Sequence, residues 1–285
     1  MILNSKLILG FLSLALLASC TNLRDLGSSS ASANGDGYDL YLLIGQSNMA
    51  GRGAVADIDR TPHERVFMLG KAGTWVAAID PIHFDKPEVV GVGPGLSFGK
   101  AVACYDQTRK IGLIPAAVGG SSIASWTHGG FHEQTSSHPY DDAISQARIA
   151  MKQGRLKGIL WHQGEADSNS AKLPKYRATL TEMAASFRRD LGSPNVPFIV
   201  GGLGDFFVQG RPEAASITAI LKDAPDFIPN TGFVSAKGLS LKGDGVHFSA
   251  QSARELGRRY ARKLFEMRGN WVSNKGRNQQ CKELK

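Results

Sequence analysis

Cysteine is scarce in this chain: 3 in 285 residues, at Cys20, Cys104 and Cys281. None sits in a C-x-x-C pair, so the sequence encodes neither a zinc-type metal site nor a disulfide framework. A single Cys104–Cys281 bridge stays open as an option in an oxidising compartment. Long apolar runs are missing too. Leu7 to Ala18 is apolar but falls short of the roughly 20 residues that span a bilayer as a helix. Basic residues are in excess, 33 Lys and Arg against 25 Asp and Glu, leaving a net +8. They are scattered, apart from Arg254, Arg258, Arg259, Arg262 and Lys263. No zinc finger, RNP-like stretch or basic–aromatic interleaving accompanies them, which argues against nucleic acid as a partner. The pair Gly99-Lys100 fails as a phosphate loop, because Pro94 stands where its first Gly belongs and Ala101 where its Ser or Thr belongs. Internal repeats are absent.

What is present divides into a leader and one domain. Lys6 and the apolar stretch after it read as a signal peptide over residues 1–19. The stretch ends Leu17-Ala18-Ser19-Cys20, which resembles the lipobox of bacterial lipoproteins. That resemblance implies cleavage before Cys20, lipid attachment to it, and a membrane-anchored place in the bacterial cell envelope. Residues 20–37, rich in Ser, Ala, Gly and Asn, form a flexible tether, with a reach on the order of 20–25 Å. The whole sequence is 42% hydrophobic and 20% charged, enough for a substantial core in the remainder. The last stretch, 271–285, is a basic tail.

Within residues 38–270, strands and helices alternate. Apolar runs at 38–44, 111–118, 157–161, 196–200 and 231–236 predict five strands. Amphipathic spacing predicts helices over 96–105, 139–153, 173–191, 212–223 (stopping before Pro225) and 250–268, the last capped by Ser249. Residues 54–92 show no periodicity and are expected to be an irregular wall of a cleft. Alternation with crossovers of this length predicts a parallel sheet between helical layers, a three-layer α/β/α sandwich.

The ends of the predicted strands carry the chemistry. Gly45-Gln46-Ser47-Asn48-Met49 follows the first, where open α/β sheets place their sites. Ser47 is the candidate nucleophile. His247 has Asp244 three residues before it in a Gly-containing loop ahead of a helix, where the carboxylate can orient the imidazole as a general base. Gly119-Gly120 follows the second strand and His162-Gln163-Gly164-Glu165 the third. The amides of Ser47 and Gly119, with the Gln163 side chain, are candidate oxyanion donors. Gln46, Arg52 and Trp126 are candidate substrate-binding residues, and Trp75 and Phe131 further sugar-stacking candidates. His128 and His132 lie four apart, but the Gly pair between them argues against a metal site.

Taken together, Gly45 to Met49, Gly119-Gly120, Trp161 to Glu165 and Asp244 to His247 resemble the ordered blocks of SGNH hydrolases. More narrowly, they resemble the sialate O-acetylesterase-like domain that includes carbohydrate esterase family 6. Asp80-Pro81-Ile82-His83 and Gly91 to Gly95 extend the match from Tyr38 to about Arg268. The resemblance implies a five-stranded parallel sheet in flavodoxin-like order 2-1-3-4-5, no metal or other cofactor, and removal of acetyl groups from sugars. The wider family has Asn where this chain has Gln163. Asp244 holds the usual place of the orienting acid, but Glu165 shares the cleft and is an alternative partner for His247. The expected reading is an acetylesterase acting on polysaccharide, with acetylxylan first. Sialate or another acetylated glycan is the alternative substrate, and a non-catalytic glycan-binding lipoprotein the alternative class.

Overall fold

The computed structural model describes residues 37–269. The expected signal peptide, Cys20 as the expected lipid attachment point with nearly all of the expected tether, and the expected basic tail lie outside the described residues. Cys104 is disulfide-bonded; Cys20 and Cys281 both lie outside them. No helix among the described residues is long and apolar enough to cross a membrane.

In chain order the elements are β1 (Tyr38–Gly45), α1 (Ser47–Ala50), α2 (Asp57–Arg60), β2 (Val66–Leu69), β3 (Trp75–Ala77), α3 (Pro94–Tyr105), β4 (Lys110–Pro115) and α4 (Pro139–Met151). They continue with β5 (Gly154–His162), α5 (Leu173–Asp190), β6 (Phe198–Gly201), α6 (Asp205–Val208), α7 (Pro212–Phe227), β7 (Thr231–Val234) and α8 (Ala250–Met267). The strands form one sheet in the order β3-β2-β4-β1-β5-β6-β7. Every pairing is parallel except β2 with β3.

Two expectations need correction. The sheet is seven-stranded and mixed, not five-stranded and parallel. The five expected strands are β1, β4, β5, β6 and β7, and they do stand in the order 2-1-3-4-5. The additions come from residues 54–92, expected to be irregular. Val66–Leu69 is a four-residue run beside β4, and Trp75–Ala77 turns back on it through a tight loop where Gly70 N–H bonds Thr74 O at 2.8 Å. Strands this short carry too few residues for a periodic pattern. The second correction is α7, which runs through Pro225 to Phe227. Proline near a helix's C-terminus removes only one late hydrogen bond, and Ile228 N still reaches Ala224 O at 2.9 Å.

Strand alternation makes the layers. Leu40, Leu42 and Ile44 of β1 pack with α4, α5 and α7 on one face, and Tyr41 and Leu43 with α3 and α8 on the other. Helix α8 buries Ala253, Leu256, Tyr260, Ala261, Leu264 and Phe265 along one stripe. The Ser249 hydroxyl accepts from Ser252 N and starts that helix, as expected.

β1 pairs with β4 on one side and β5 on the other. The chain leaves β1 toward β4 and later returns to its opposite flank at β5. That is a topological switch point, and a crevice opens beyond the strand ends there.

Candidate active site

Ser47 stands at the start of α1, immediately beyond β1. The backbone at Gly45 has φ +129, and a side chain there would collide with the His162 main chain. Only glycine permits this approach, which lets Gln46 N–H bond His162 O at 3.0 Å and turns Ser47 out over the sheet.

His247 reaches Ser47 from the loop ahead of α8. That loop closes on itself: Leu241 bridges Phe248, Lys242 N–H bonds His247 O at 2.8 Å, and Ser249 N–H bonds Ser240 O at 2.9 Å. His247 Nε2 lies 2.9 Å from Ser47 Oγ, and its Nδ1 lies 2.8 Å from Asp244 Oδ2. Asp244 Oδ1 also accepts from the amides of His247 at 2.8 Å and Val246 at 3.0 Å. Partial burial opposes ionisation of Asp244. The His247 amide and imidazole and the Val246 amide outweigh it, holding the carboxyl well below the ordinary range. An ionised Asp244 on Nδ1 leaves the Nε2 lone pair directed at the hydroxyl, the arrangement that makes serine a nucleophile.

Glu165 makes a different contact. Its Oε1 accepts from Asn48 Nδ2 at 2.6 Å, and its Oε2 is sealed without a partner. Burial raises its pKa, with Asn48 partly offsetting the rise. Asn48 also donates to Val246 O at 3.0 Å and accepts from Phe248 N at 3.1 Å. This side chain therefore pins both flanks of His247 to the residue next to the nucleophile, and Glu165 fixes Asn48. The sequence reading assigned Asn48 no role. Its place directly after Ser47 was the available signal.

Several expected site residues stand elsewhere. Gln163 is fully buried, and its Nε2 donates to Asp167 Oδ2 at 2.5 Å and Ser121 O at 3.1 Å. One residue past β5, it sits with Tyr176 of α5, whose OH bonds its main-chain carbonyl at 3.0 Å. Gln163 is a scaffold residue, not an oxyanion donor. Asp167, which sequence reasoning missed, also takes the Ser122 hydroxyl at 2.6 Å and Ile123 N–H at 2.8 Å, and so anchors the loop after β4. The Gly119 N–H is already donated to Asp85 Oδ2 at 2.8 Å. The same carboxylate oxygen takes Arg52 Nη2 at 2.8 Å in an ion pair with side chains 5% and 1% exposed. Arg52 thus reaches the cleft wall with its charge balanced.

Trp126 is wholly buried, bonds Ser121 Oγ through its indole N–H and meets Trp161 edge-on, so it is core. Trp75 stacks on Tyr38, which begins β1, at the opposite end of the sheet from Ser47. Phe131 is 52% exposed and packs against the His138 ring at 5.2 Å between centroids. His128 bonds Asp141 at 2.7 Å.

Around Ser47 the cleft encloses about 490 Å3, lined by Gln46, Ser47, Arg52, Lys86, Val89 and Gly119, and on the far side by Lys242, Asp244 and His247. The family model described as "Carbohydrate esterase, sialic acid-specific acetylesterase" matches residues 37–266. The chain belongs to that family. This carbohydrate esterase is 30% identical over 241 residues to a probable carbohydrate esterase of Arabidopsis thaliana, covering 76% of this chain and 86% of that protein. It superposes on the X-ray structure of a protein from Arabidopsis thaliana with a TM-score of 0.72 at 27% identity, covering 81% and 98% of the two chains. The crystal structure of NanS shares the fold, with a TM-score of 0.67 at 19% identity over 82% and 98% of the chains.

Proposed function

We propose that this carbohydrate esterase removes O-acetyl groups from a glycan by a serine mechanism, with Ser47 as nucleophile, His247 as general base and Asp244 as its orienting acid. The observation that carries the reading is the continuous relay from Asp244 through His247 to Ser47 in an open cleft. A protein that only binds glycans has no use for it. Ser47 Oγ attacks the acetyl carbonyl as its proton passes to His247 Nε2. The carbonyl electron pair moves onto oxygen. The intermediate collapses by breaking the bond to the sugar oxygen, which takes the proton from His247, and leaves acetyl on Ser47. Water activated by the same imidazole then releases acetate.

The cleft is open, with Val89 on its rim 49% exposed and the Asp244 side chain 36% exposed. That supports a substrate longer than one sugar, with acetylated xylan the first to test. Lys86 and Lys242 also line the cleft, and their charge supports a second reading in which the sugar is acidic, such as an O-acetylated sialate. The lipobox-like Leu17 to Cys20 supports a place in the cell envelope, anchored by lipid.

Acetate release from acetylated xylan, from O-acetylated sialic acid and from 4-nitrophenyl acetate tests the reading. Turnover of the small ester and of xylan is expected. Turnover of the sialate in place of xylan selects the acidic substrate, and no turnover of any ester by folded protein contradicts the enzyme reading.

A further inference from the structure

Of the described residues that line the cleft, three carry apolar side chains: Val89, Ala166 and Val246. They are not equivalent. Val89 is 49% exposed on the rim, where its N–H bonds Lys86 O at 3.0 Å inside its own turn. Ala166 and Val246 are each fastened to a chain neighbour of Ser47. Gln46 Oε1 accepts from Ala166 N–H at 3.2 Å, and Asn48 Nδ2 donates to Val246 O at 3.0 Å. Their remaining main-chain groups are tied as well. Lys172 Nζ holds Ala166 O at 3.0 Å, and Asp244 Oδ1 takes Val246 N–H at 3.0 Å. Val246 also packs against the core on the α4, α5 and α7 face.

An ester bound at Ser47 has two sides to place. The sugar is large and polar and must extend toward solvent, which the rim at Val89 allows. The acyl group has no polar atom beyond its carbonyl, so apolar surface beside the nucleophile suits it. Ala166 and Val246 supply that surface. Residues held at both main-chain groups and backed by a packed core do not step aside for a longer chain.

We infer that Ala166 and Val246 form the acyl wall of the site, which admits acetyl and excludes longer acyl groups. The inference rests on the serine mechanism proposed above and names the two side chains that decide which ester reaches Ser47.

Its test is kcat/KM of the full chain on 4-nitrophenyl acetate, propionate and butyrate. A loss of folded protein lowers all three rates together and cancels in their ratios. Wild type is expected to lose about tenfold or more for each added carbon. Val246→Ala is expected to raise the butyrate-to-acetate ratio about tenfold or more, and Ala166→Gly to raise the propionate-to-acetate ratio several-fold. Val246→Thr keeps the branched shape and should hold the wild-type ratio, as should Val89→Ala at the rim. The inference falls if wild type turns over butyrate as fast as acetate. It falls equally if Val246→Ala leaves the ratio unchanged. Ser47→Ala runs beside them: its retention of activity would defeat the serine mechanism itself, a separate failure. A structure of the wild-type protein with methylphosphonate bound covalently to Ser47 covers the case in which a variant does not fold. Its methyl group is expected within about 4.5 Å of the Ala166 and Val246 side chains, and a methyl group turned to Lys86 or Val89 overturns the assignment.

Discussion

Asp244 and Glu165 are two carboxylates near one imidazole, and their surroundings push them in opposite directions. Asp244 gathers two backbone amides and the imidazole; Glu165 has one side-chain amide and a sealed, unpaired oxygen. Asp244→Asn is therefore expected to cut kcat by roughly 10²–10⁴-fold through the wrong imidazole tautomer, while Glu165→Gln keeps most of it. Steady-state rates of the two variants decide between them, and the reverse ranking would move the orienting role to Glu165. Their pH signatures differ in sign as well. The depressed Asp244 pKa contributes stability that is full above its unfolded value of about 3.9 and is lost as pH falls through the folded value. Urea denaturation should show the gap between wild type and Asp244→Asn unchanged from pH 7 to about pH 5 and shrinking as pH falls below about 4. The raised Glu165 pKa works the other way. Its wild-type contribution falls as pH rises past about 4.3, so Glu165→Gln should gain on the wild type between pH 4 and pH 7.

At the scale of elements, three loops hold the site, each fastened by a side chain distant in sequence. Asp167 holds the loop after β4 through two donors, Ser122 Oγ and Ile123 N–H, and takes a third from Gln163 just beyond β5. Asp167→Ala leaves those buried donors unmet and is expected to cost about 2 kcal/mol or more, read as a lower denaturation midpoint, with activity falling alongside. Gly119→Ala drives a methyl group into the Arg52–Asp85 pair, so thermal denaturation should show a loss of stability where Gly129→Ala, which has nothing within 4 Å but a φ of +71, shows only the cost of its backbone angle. These fastenings explain what was legible. The ends of β1, β4 and β5 were readable because their apolar runs give way there to Gly or to polar residues, and the Asp244–His247 pair because three residues separate it. Gln163 was misread because its local surroundings resemble a strand-end donor, while its bonds to Ser121 and Asp167 depend on packing that no local pattern carries. Asp85, 34 residues from the amide it takes, left no trace at Gly119.

For the molecule as a whole, the central five parallel strands follow from apolar runs and crossover lengths, but the two short edge strands do not. The basic cluster near the C-terminus is largely spent within the fold. Arg254 makes a two-bond pair with Asp59 at 2.7 Å, Arg258 and Arg259 both hold Glu255, and Lys263 holds Glu266. Such pairs fit a solvated surface rather than a nucleic-acid face. The cleft sits at the one crevice that the sheet order creates, beyond the switch point at β1, and the three strand ends that meet there supply its floor.

The measurement that bears most directly on the central claim is acetate release by wild-type protein and Ser47→Ala on 4-nitrophenyl acetate and acetylated xylan. The account predicts saturable release by the wild type and its loss, by a factor of about 10³ or more, in a folded Ser47→Ala variant. Equal release by the two proteins would contradict it.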